Sequence, residues 1–465
     1  MKPLFLDEIR KYIGGRRIAD VPAVRIDGVS TDSREVREGQ IFFAIRGDRF
    51  DGHEFVARAF AQGAAAAVVE RVPNDLPEIH RPRILVVDEV IKALGKLARW
   101  YRDQLVGTVI AVTGSNGKTT TKEMIYHLLS SRYRGRRAQK SFNNHIGVPL
   151  TLLSADVSDE FVVVEVGSNH PGEIDHLGAI VRPDIAIITG IAETHLEGFG
   201  SLDRIAAEKA SLAAHVCPGG AIVVNGDHES LLRLIGKPEA TVIRFGQSEN
   251  NDLRLTQVQS TERGLEFTVN NRFEFQLPVL GRHNAFNCLA AMAAARRVGL
   301  EMEEMARCLS DFRLPAMRLE VERIGGFLVV NDAYNANPAS MQSALEAFAD
   351  LPGKGRRVFF CGQMYELGND AEKYHRQLGQ RIGCSGVDVL VAVGDYAPAV
   401  VEEAVSAGLA KQNARNYPNV DQARADLHRI VNDGDVILVK GSRAARMEAL
   451  VDQMRELTGS VGQNP

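Results

Sequence analysis

The run Val109-Ile110-Ala111-Val112-Thr113-Gly114-Ser115-Asn116-Gly117-Lys118-Thr119-Thr120 decides how the rest of the chain is read. Four apolar, mostly β-branched residues make a buried strand, and a glycine-bearing turn follows. Lys-Thr-Thr then opens a helix whose Met124, Ile125, Leu128 and Leu129 share one face. Strand, Gly-rich turn, Lys-Thr and helix together are the pattern of a phosphate-binding loop. Glycines such as Gly114 and Gly117 let backbone N–H groups converge on phosphate oxygens at the positive end of a helix. Ser115, Asn116 and Thr120 fill out the loop and the first helical turn. Lys118 is expected to reach the β- and γ-phosphates of a nucleotide, and the Thr119 hydroxyl to ligate Mg²⁺. Val112 stands where the usual first glycine would be, and the plain alternative is a surface strand–helix turn with a chance Gly-Lys.

Around this loop the bulk properties set limits. A chain of 465 residues implies roughly three domains. With 45% apolar residues, 25% charged residues and a net charge of −4, nothing draws the whole molecule to nucleic acid or to an anionic membrane. Cys217, Cys288, Cys308, Cys361 and Cys384 are odd in number and lack metal-type spacing, so they read as buried, reduced thiols of a cytoplasmic protein. The start, Met1-Lys2-Pro3-Leu4-Phe5-Leu6-Asp7-Glu8, turns acidic too early for a signal peptide. No run approaches the ~18 apolar residues of a membrane span.

The expected fold class is α/β in three units. Residues 1–83 form a small α/β unit with strands at 40–45 and 65–69 and an alanine-rich helix at 54–62, ending in a polar, Pro-bearing linker at 75–83. Residues 84–314 hold the phosphate loop, preceded by a strand at 84–87 and a helix at 88–103. Strands at 161–166, 184–189 and 221–224 alternate there with helices, which implies a doubly wound, mostly parallel sheet. From 241 to 280 short alternating strands, with Asn270-Asn271 as a hairpin turn, read as an antiparallel flank. Residues 315–465 repeat the doubly wound, Rossmann-like layout, with strands at 327–331, 357–361, 388–393 and 436–440, and the terminal Gly-Gln-Asn-Pro is expected to fray.

Ligands of open α/β sheets gather at the carboxyl ends of the strands, so the polar residues there are read first. Glu165 ends an apolar strand, where a charge is costly without a cation. Beside a phosphate loop that cation is a metal, which makes Glu165 a candidate Mg²⁺ ligand; the alternative is a structural salt bridge. His195, past the strand at 185–189, is a second candidate ligand. Lys209, taken alone, reads as a solvated surface lysine. Asn284 and Asn287 share one face at the start of an alanine-rich helix, suited either to capping or to an amide contact with adenine or phosphate. Ser30-Thr31-Asp32-Ser33-Arg34, taken alone, reads as a turn whose side chains cap its own backbone.

Together these pieces resemble the Mur ligases, which add amino acids to the UDP-muramoyl peptide of bacterial cell walls. The run 113–120 matches that family's variant phosphate loop, including the missing first glycine, and Glu165, His195 and Lys209 keep the family's order. Further marks are Ser141-Phe142-Asn143-Asn144-His145-Ile146-Gly147, Thr194-His195-Leu196-Glu197-Gly198, Asp332-Ala333-Tyr334-Asn335-Ala336-Asn337-Pro338, Glu366-Leu367-Gly368 and Lys440-Gly441-Ser442-Arg443. Within the family they are most like those of members that join D-Ala-D-Ala to UDP-MurNAc-tripeptide. The resemblance implies an ATP-dependent ligase acting through an acyl phosphate, with two Mg²⁺ ions; the protein is expected to be cytoplasmic and a monomer. It implies that Lys209 is carbamylated and becomes an anionic metal ligand, and that Arg318 contacts the γ-phosphate. By the same resemblance Asp332 lies on the ribose or adenine side, Asn144 near the phosphates, and residues 30–34 at the uridine nucleotide. Asn335, Lys440 and Arg443 would face the incoming amine, with Lys440 and Arg443 the basic candidates to meet the far carboxylate of a dipeptide. The alternatives are another ligase of the superfamily, adding the third residue or glutamates to folate, or a nucleotide-driven switch or transport ATPase.

Overall fold

The computed structural model describes residues 1–19, 23–261, 263–351 and 355–461, so the terminal Gly-Gln-Asn-Pro expected to fray lies outside the described residues. Mixed α/β architecture runs through the whole chain, carried by three parallel-dominated sheets.

The largest sheet has nine strands and is built on Thr108–Thr113, whose neighbours Phe161–Glu165 and Ile185–Ile188 pair with it in parallel. Continuous apolar runs of this kind belong to strands covered on both faces. On one face lie the helices Lys118–Ser130 and His283–Val298, the second burying alanines together with Cys288, Leu289 and Met292. On the other face lies the helix Val90–Arg102, whose Leu94, Leu97, Ala98 and Tyr101 are in one cluster with Ile9 of the first unit and Val164 of the central sheet. The first unit is thus packed onto the second through a shared core.

Two features differ from the sequence reading here. Ile84–Val86 pairs in parallel with Ala66–Val69, inside the five-stranded first sheet, so the boundary falls after this strand and not at 83/84. An apolar strand following a Pro-bearing turn carries no mark of which sheet it will join. Likewise Thr241–Gly246 pairs in parallel with Ala221–Asn225 and belongs to the main sheet. The antiparallel flank comprises only Leu253–Thr261, Gly264–Val269 and Phe273–Leu277. Its last hairpin turns at Asn270 and Asn271, both left-handed (φ 56° and 54°), the geometry that an Asn pair favours in a two-residue turn.

The third unit is a six-stranded sheet in the order Glu320–Ile324, Phe327–Asp332, Val436–Lys440, Arg357–Gly362, Val389–Val393, Ala414–Tyr417, antiparallel only at the first pair. Its two edge strands carry polar residues and escaped the periodicity reading. Apolar clusters cover both faces of the sheet. The cysteines are all free, but only Cys288 and Cys361 are buried and Cys384 is exposed, which corrects the expectation of five buried thiols.

Candidate active site

The carboxyl ends of the central strands and of the third sheet face each other across a cleft of about 1300 Å³. Thr113 ends the strand and Lys118 begins the helix, so residues 114–117 form the whole turn. Gly114 is required because a Cβ there would lie 2.1 Å from Thr189 Oγ1. Gly117 is left-handed (φ 84°), and a Cβ there would lie 2.2 Å from Asn287 Oδ1. The turn is stapled from below: Ser115 Oγ donates to the Ala192 carbonyl and accepts from the Ala192 N–H, both at 2.9 Å, and Thr189 Oγ1 donates to the Asn116 carbonyl at 2.6 Å. Lys118 folds back on its own loop, donating to the carbonyls of Gly114 (2.7 Å) and Ser115 (3.3 Å). Burial holds its pKa below the usual lysine value, with the Arg318 charge acting in the same direction.

Glu165 is 1% exposed and has three partners. Thr119 Oγ1 donates to its Oε2 at 2.9 Å, Asn143 Nδ2 donates to its Oε1 at 3.0 Å, and the fully buried Lys122 ammonium stands 3.5 Å from Oε2. The salt bridge and the metal-ligand readings of Glu165 therefore coexist geometrically. Thr119 and Glu165 offer two hard oxygens side by side at a phosphate loop, a donor pair that fits Mg²⁺, which takes one or two protein oxygens and completes its shell with phosphate and water. His195 and Lys209 do not join that pair. His195 is left-handed (φ 51°) and its Nδ1 meets the carboxylate of Glu366 from the third unit. That contact holds the Glu366 carboxyl below the usual range.

Lys209 is 1% exposed, which overturns its reading as a surface lysine. Its amine donates to Ser168 Oγ at 2.6 Å, and Ser168 in turn lines the cleft. Burial, reinforced by the Lys118 charge, brings its pKa down to about 7. Amphipathic spacing could not reveal this, because its partner Ser168 lies 41 positions earlier in the chain.

The third unit reaches the phosphate loop at several points. Arg318 Nη2 donates to Thr119 Oγ1 at 3.0 Å, and its guanidinium lies over the Tyr334 ring at 4.2 Å. Tyr334 Oη donates to Ser141 Oγ at 2.6 Å, and Asn337 Nδ2 donates to Asn116 Oδ1 at 2.7 Å. Tyr334 and Asn337 stand in the run 332–338 that carries the resemblance but had no role assigned to them, and Lys122 was not read at all, although its position four residues after Lys118 places it on the same helical face.

Other expected residues have partners of their own. Asn144 Oδ1 accepts from the N–H groups of Ile146 and Gly147, where the helix Gly147–Ser154 begins. Asn287 Nδ2 donates to Asn284 Oδ1, and Asn284 Nδ2 to the Leu280 carbonyl; both asparagines and Thr120 line the cleft. Lys440 is not the free cation expected to meet a substrate carboxylate, because it is 2% exposed and bonded to Asp332 Oδ2 (2.6 Å) and the Asn335 carbonyl (2.9 Å). Arg443 is ion-paired with Glu448 yet stays open to the cleft, as does Asn335. Residues 30–34 do not line the cleft. Ser30 and Asp32 bond one another, and the exposed Arg34 guanidinium doubles back on Asp32, holding its carboxyl down at about 2.

The family descriptions "Mur ligase family, catalytic domain", "Mur ligase middle domain" and "Mur ligase, glutamate ligase domain" match residues 25–102, 112–295 and 317–443. UDP-N-acetylmuramoyl-tripeptide–D-alanyl-D-alanine ligase of Bacillus subtilis is 37% identical over 434 residues, 93% of each chain. The chain belongs to the Mur ligase family. Among solved structures, MurF from Acinetobacter baumannii superposes with a TM-score of 0.88 at 31% identity, covering 98% of this Mur ligase and 99% of that chain. MurF ligase from Thermotoga maritima in complex with ADP gives 0.80 at 30% identity, covering 93% and 98%.

Proposed function

We propose that the chain is an ATP-dependent amide-bond ligase that joins D-Ala-D-Ala to UDP-MurNAc-tripeptide, releasing UDP-MurNAc-pentapeptide, ADP and phosphate. The observation that carries this reading is the meeting of Arg318, from the third unit, with Thr119 of the phosphate loop, in a chain so similar to ligases of that name. A carboxylate does not expel oxide at neutral pH. Its oxygen therefore takes the γ-phosphoryl group of ATP first; the amine then attacks the acyl phosphate, forms a tetrahedral intermediate and expels phosphate. Phosphoryl transfer of this kind needs positioning and charge stabilisation more than covalent help.

Lys118 swings from the carbonyls of Gly114 and Ser115 to the phosphates, and Arg318 approaches from the opposite wall, each offsetting developing charge. Thr119 and Glu165 would hold Mg²⁺, which supplies Lewis-acid polarisation of phosphate oxygens when bound. Lys209 reacts with CO₂ through its neutral amine: the N–C bond forms, one proton leaves, and the uncharged nitrogen becomes part of an anionic carbamate beside Ser168. Its buried setting, with a pKa of about 7, keeps much of the amine neutral at physiological pH. Asn284, Asn287 and Asp332 serve the nucleotide, Asn335 and Arg443 the amine, and residues 30–34 the uridine end of the acceptor. The first unit takes the UDP moiety, the second ATP, and the third closes on ATP and receives the amine. The enzyme works as a cytoplasmic monomer; among the described residues no helix is long and apolar enough to cross a membrane.

ADP release measured with each substrate omitted in turn tests this. Fast release is expected only with UDP-MurNAc-tripeptide plus D-Ala-D-Ala, and far slower release with single D-Ala. Equal rates with single D-Ala would sink the dipeptide assignment. Release indifferent to both substrates would sink the ligase reading and return the ATPase switch.

A further inference from the structure

Arg318 sits between two residues that L-amino acids rarely allow. Met317 and Leu319 are both left-handed, with φ of 59° and 49°. Neither carries the short polar side chain that makes this conformation tolerable, so each is strained by contact of its Cβ with the backbone. Such conformations persist only where the surroundings over-determine them, and they collect at working sites.

Here the determinants can be named. Met317 N–H donates to Glu320 Oε2 at 2.9 Å, and its carbonyl accepts from Tyr334 N–H at 3.2 Å. Leu319 N–H donates to Asp332 Oδ1 at 3.1 Å. The other oxygen of Asp332 is held by the buried Lys440 ammonium at 2.6 Å. Two carboxylates, each accepting from one strained amide, thus bracket the arginine. A guanidinium on so short and pinned a turn has little freedom except along its own side chain, and that points over Tyr334 to Thr119.

We propose that Glu320 and Asp332, with Lys440 behind Asp332, are positioning residues for Arg318: they hold its two left-handed neighbours and so set the direction in which its guanidinium enters the cleft. The inference rests on the reading of Arg318 as a phosphoryl-facing residue. It also gives Lys440 a task inside the third unit, in place of a substrate carboxylate.

The test compares Arg318→Ala, Glu320→Ala, Glu320→Gln and the double variant Glu320→Ala/Met317→Gly, reading kcat, KM for ATP and melting temperature. Glu320 is only partly buried and lies on an edge strand, so the fold tolerates its replacement. Glu320→Ala is expected to lower kcat by on the order of tenfold, with KM for ATP changed less than twofold, since misplacing a catalytic group penalises the transition state first. Glu320→Gln keeps an oxygen acceptor and should recover most of the loss. Glycine adopts the left-handed region without steric conflict, so Met317→Gly in the Glu320→Ala background should recover part of it. Unchanged kcat in Glu320→Ala beside an inactive Arg318→Ala overturns the positioning role, as does a double variant no better than the single. Unchanged kcat in Arg318→Ala overturns the reading beneath it.

Discussion

Thr119 and Arg318, 199 positions apart in the chain, meet at 3.0 Å, with the guanidinium donating to the same hydroxyl that donates to Glu165. One hydroxyl thus links the phosphate loop, the neighbouring strand and the third unit. Arg318→Ala should lower kcat by roughly 10²–10³, the loss typical of removing one preorganised donor from a developing charge. Arg318→Lys should recover little, because an ammonium cannot reproduce the planar fork or its stacking on Tyr334. Steady-state ADP release decides both.

Lys118→Ala should remove measurable turnover. Water cannot supply a preorganised point charge on the transferring group. Near-normal turnover would mean that the loop does not bind phosphate.

Replacing Gly117 by Ala is expected to damage both stability and nucleotide affinity. The new Cβ meets Asn287 Oδ1 in a left-handed backbone, and the conformation alone costs roughly 1–2 kcal/mol. A fall in melting temperature of roughly 2–8 °C, together with weaker ADP binding by calorimetry, is the expected result.

Lys209→Ala should lose most activity, with partial return on adding a small carboxylic acid that can stand in for the carbamate. Parent-like activity would leave Lys209 as a packed lysine. Loss without any rescue would leave it essential but not carbamylated.

His375 supplies a pH dependence. It is 1% exposed, accepts from Met364 N–H through Nε2, and faces the Ala371 carbonyl with Nδ1, so Nδ1 carries the proton. Burial lowers its pKa, so the folded state resists the second proton. The unfolded chain takes that proton up below about pH 6.5, and stability therefore falls as pH drops through that value and is recovered above it. Melting curves between pH 5 and 8 should show this slope, and His375→Gln should reduce it, the remainder coming from His228 and His283, whose pKa values burial lowers in the same way. An unchanged slope would place the acid sensitivity elsewhere.

The phosphate loop, the parallel strands and the polar residues at their carboxyl ends were legible because each depends on spacing within about a dozen residues. Glu165 was readable as a charge in need of a cation for the same reason. Lys209 was misread on its own, because its burial depends on Ser168 and on the neighbouring helix. The pairing of Lys440 was not readable because its partner Asp332 lies on the adjacent parallel strand, 108 positions earlier.

What the sequence determined by itself was the apolar central strands, the phosphate loop and the hairpin turn, with their chemistry. Apolar runs of β-branched residues commit to strands, Gly-Lys-Thr before an amphipathic helix commits to a phosphate loop, and Asn-Asn commits to a hairpin turn, all through local sterics and hydrogen bonding. What only the tertiary structure decided was partnership. It put Ile84–Val86 in the first sheet, Lys122 beside Glu165, Tyr334 under Arg318 and Glu366 against His195. The physical reason is that a hydrogen bond or ion pair acts over a few ångströms of space, whereas the partners of a buried charge are set by how sheets and domains pack. That packing is driven by apolar area, which says how much must be covered and leaves open by what.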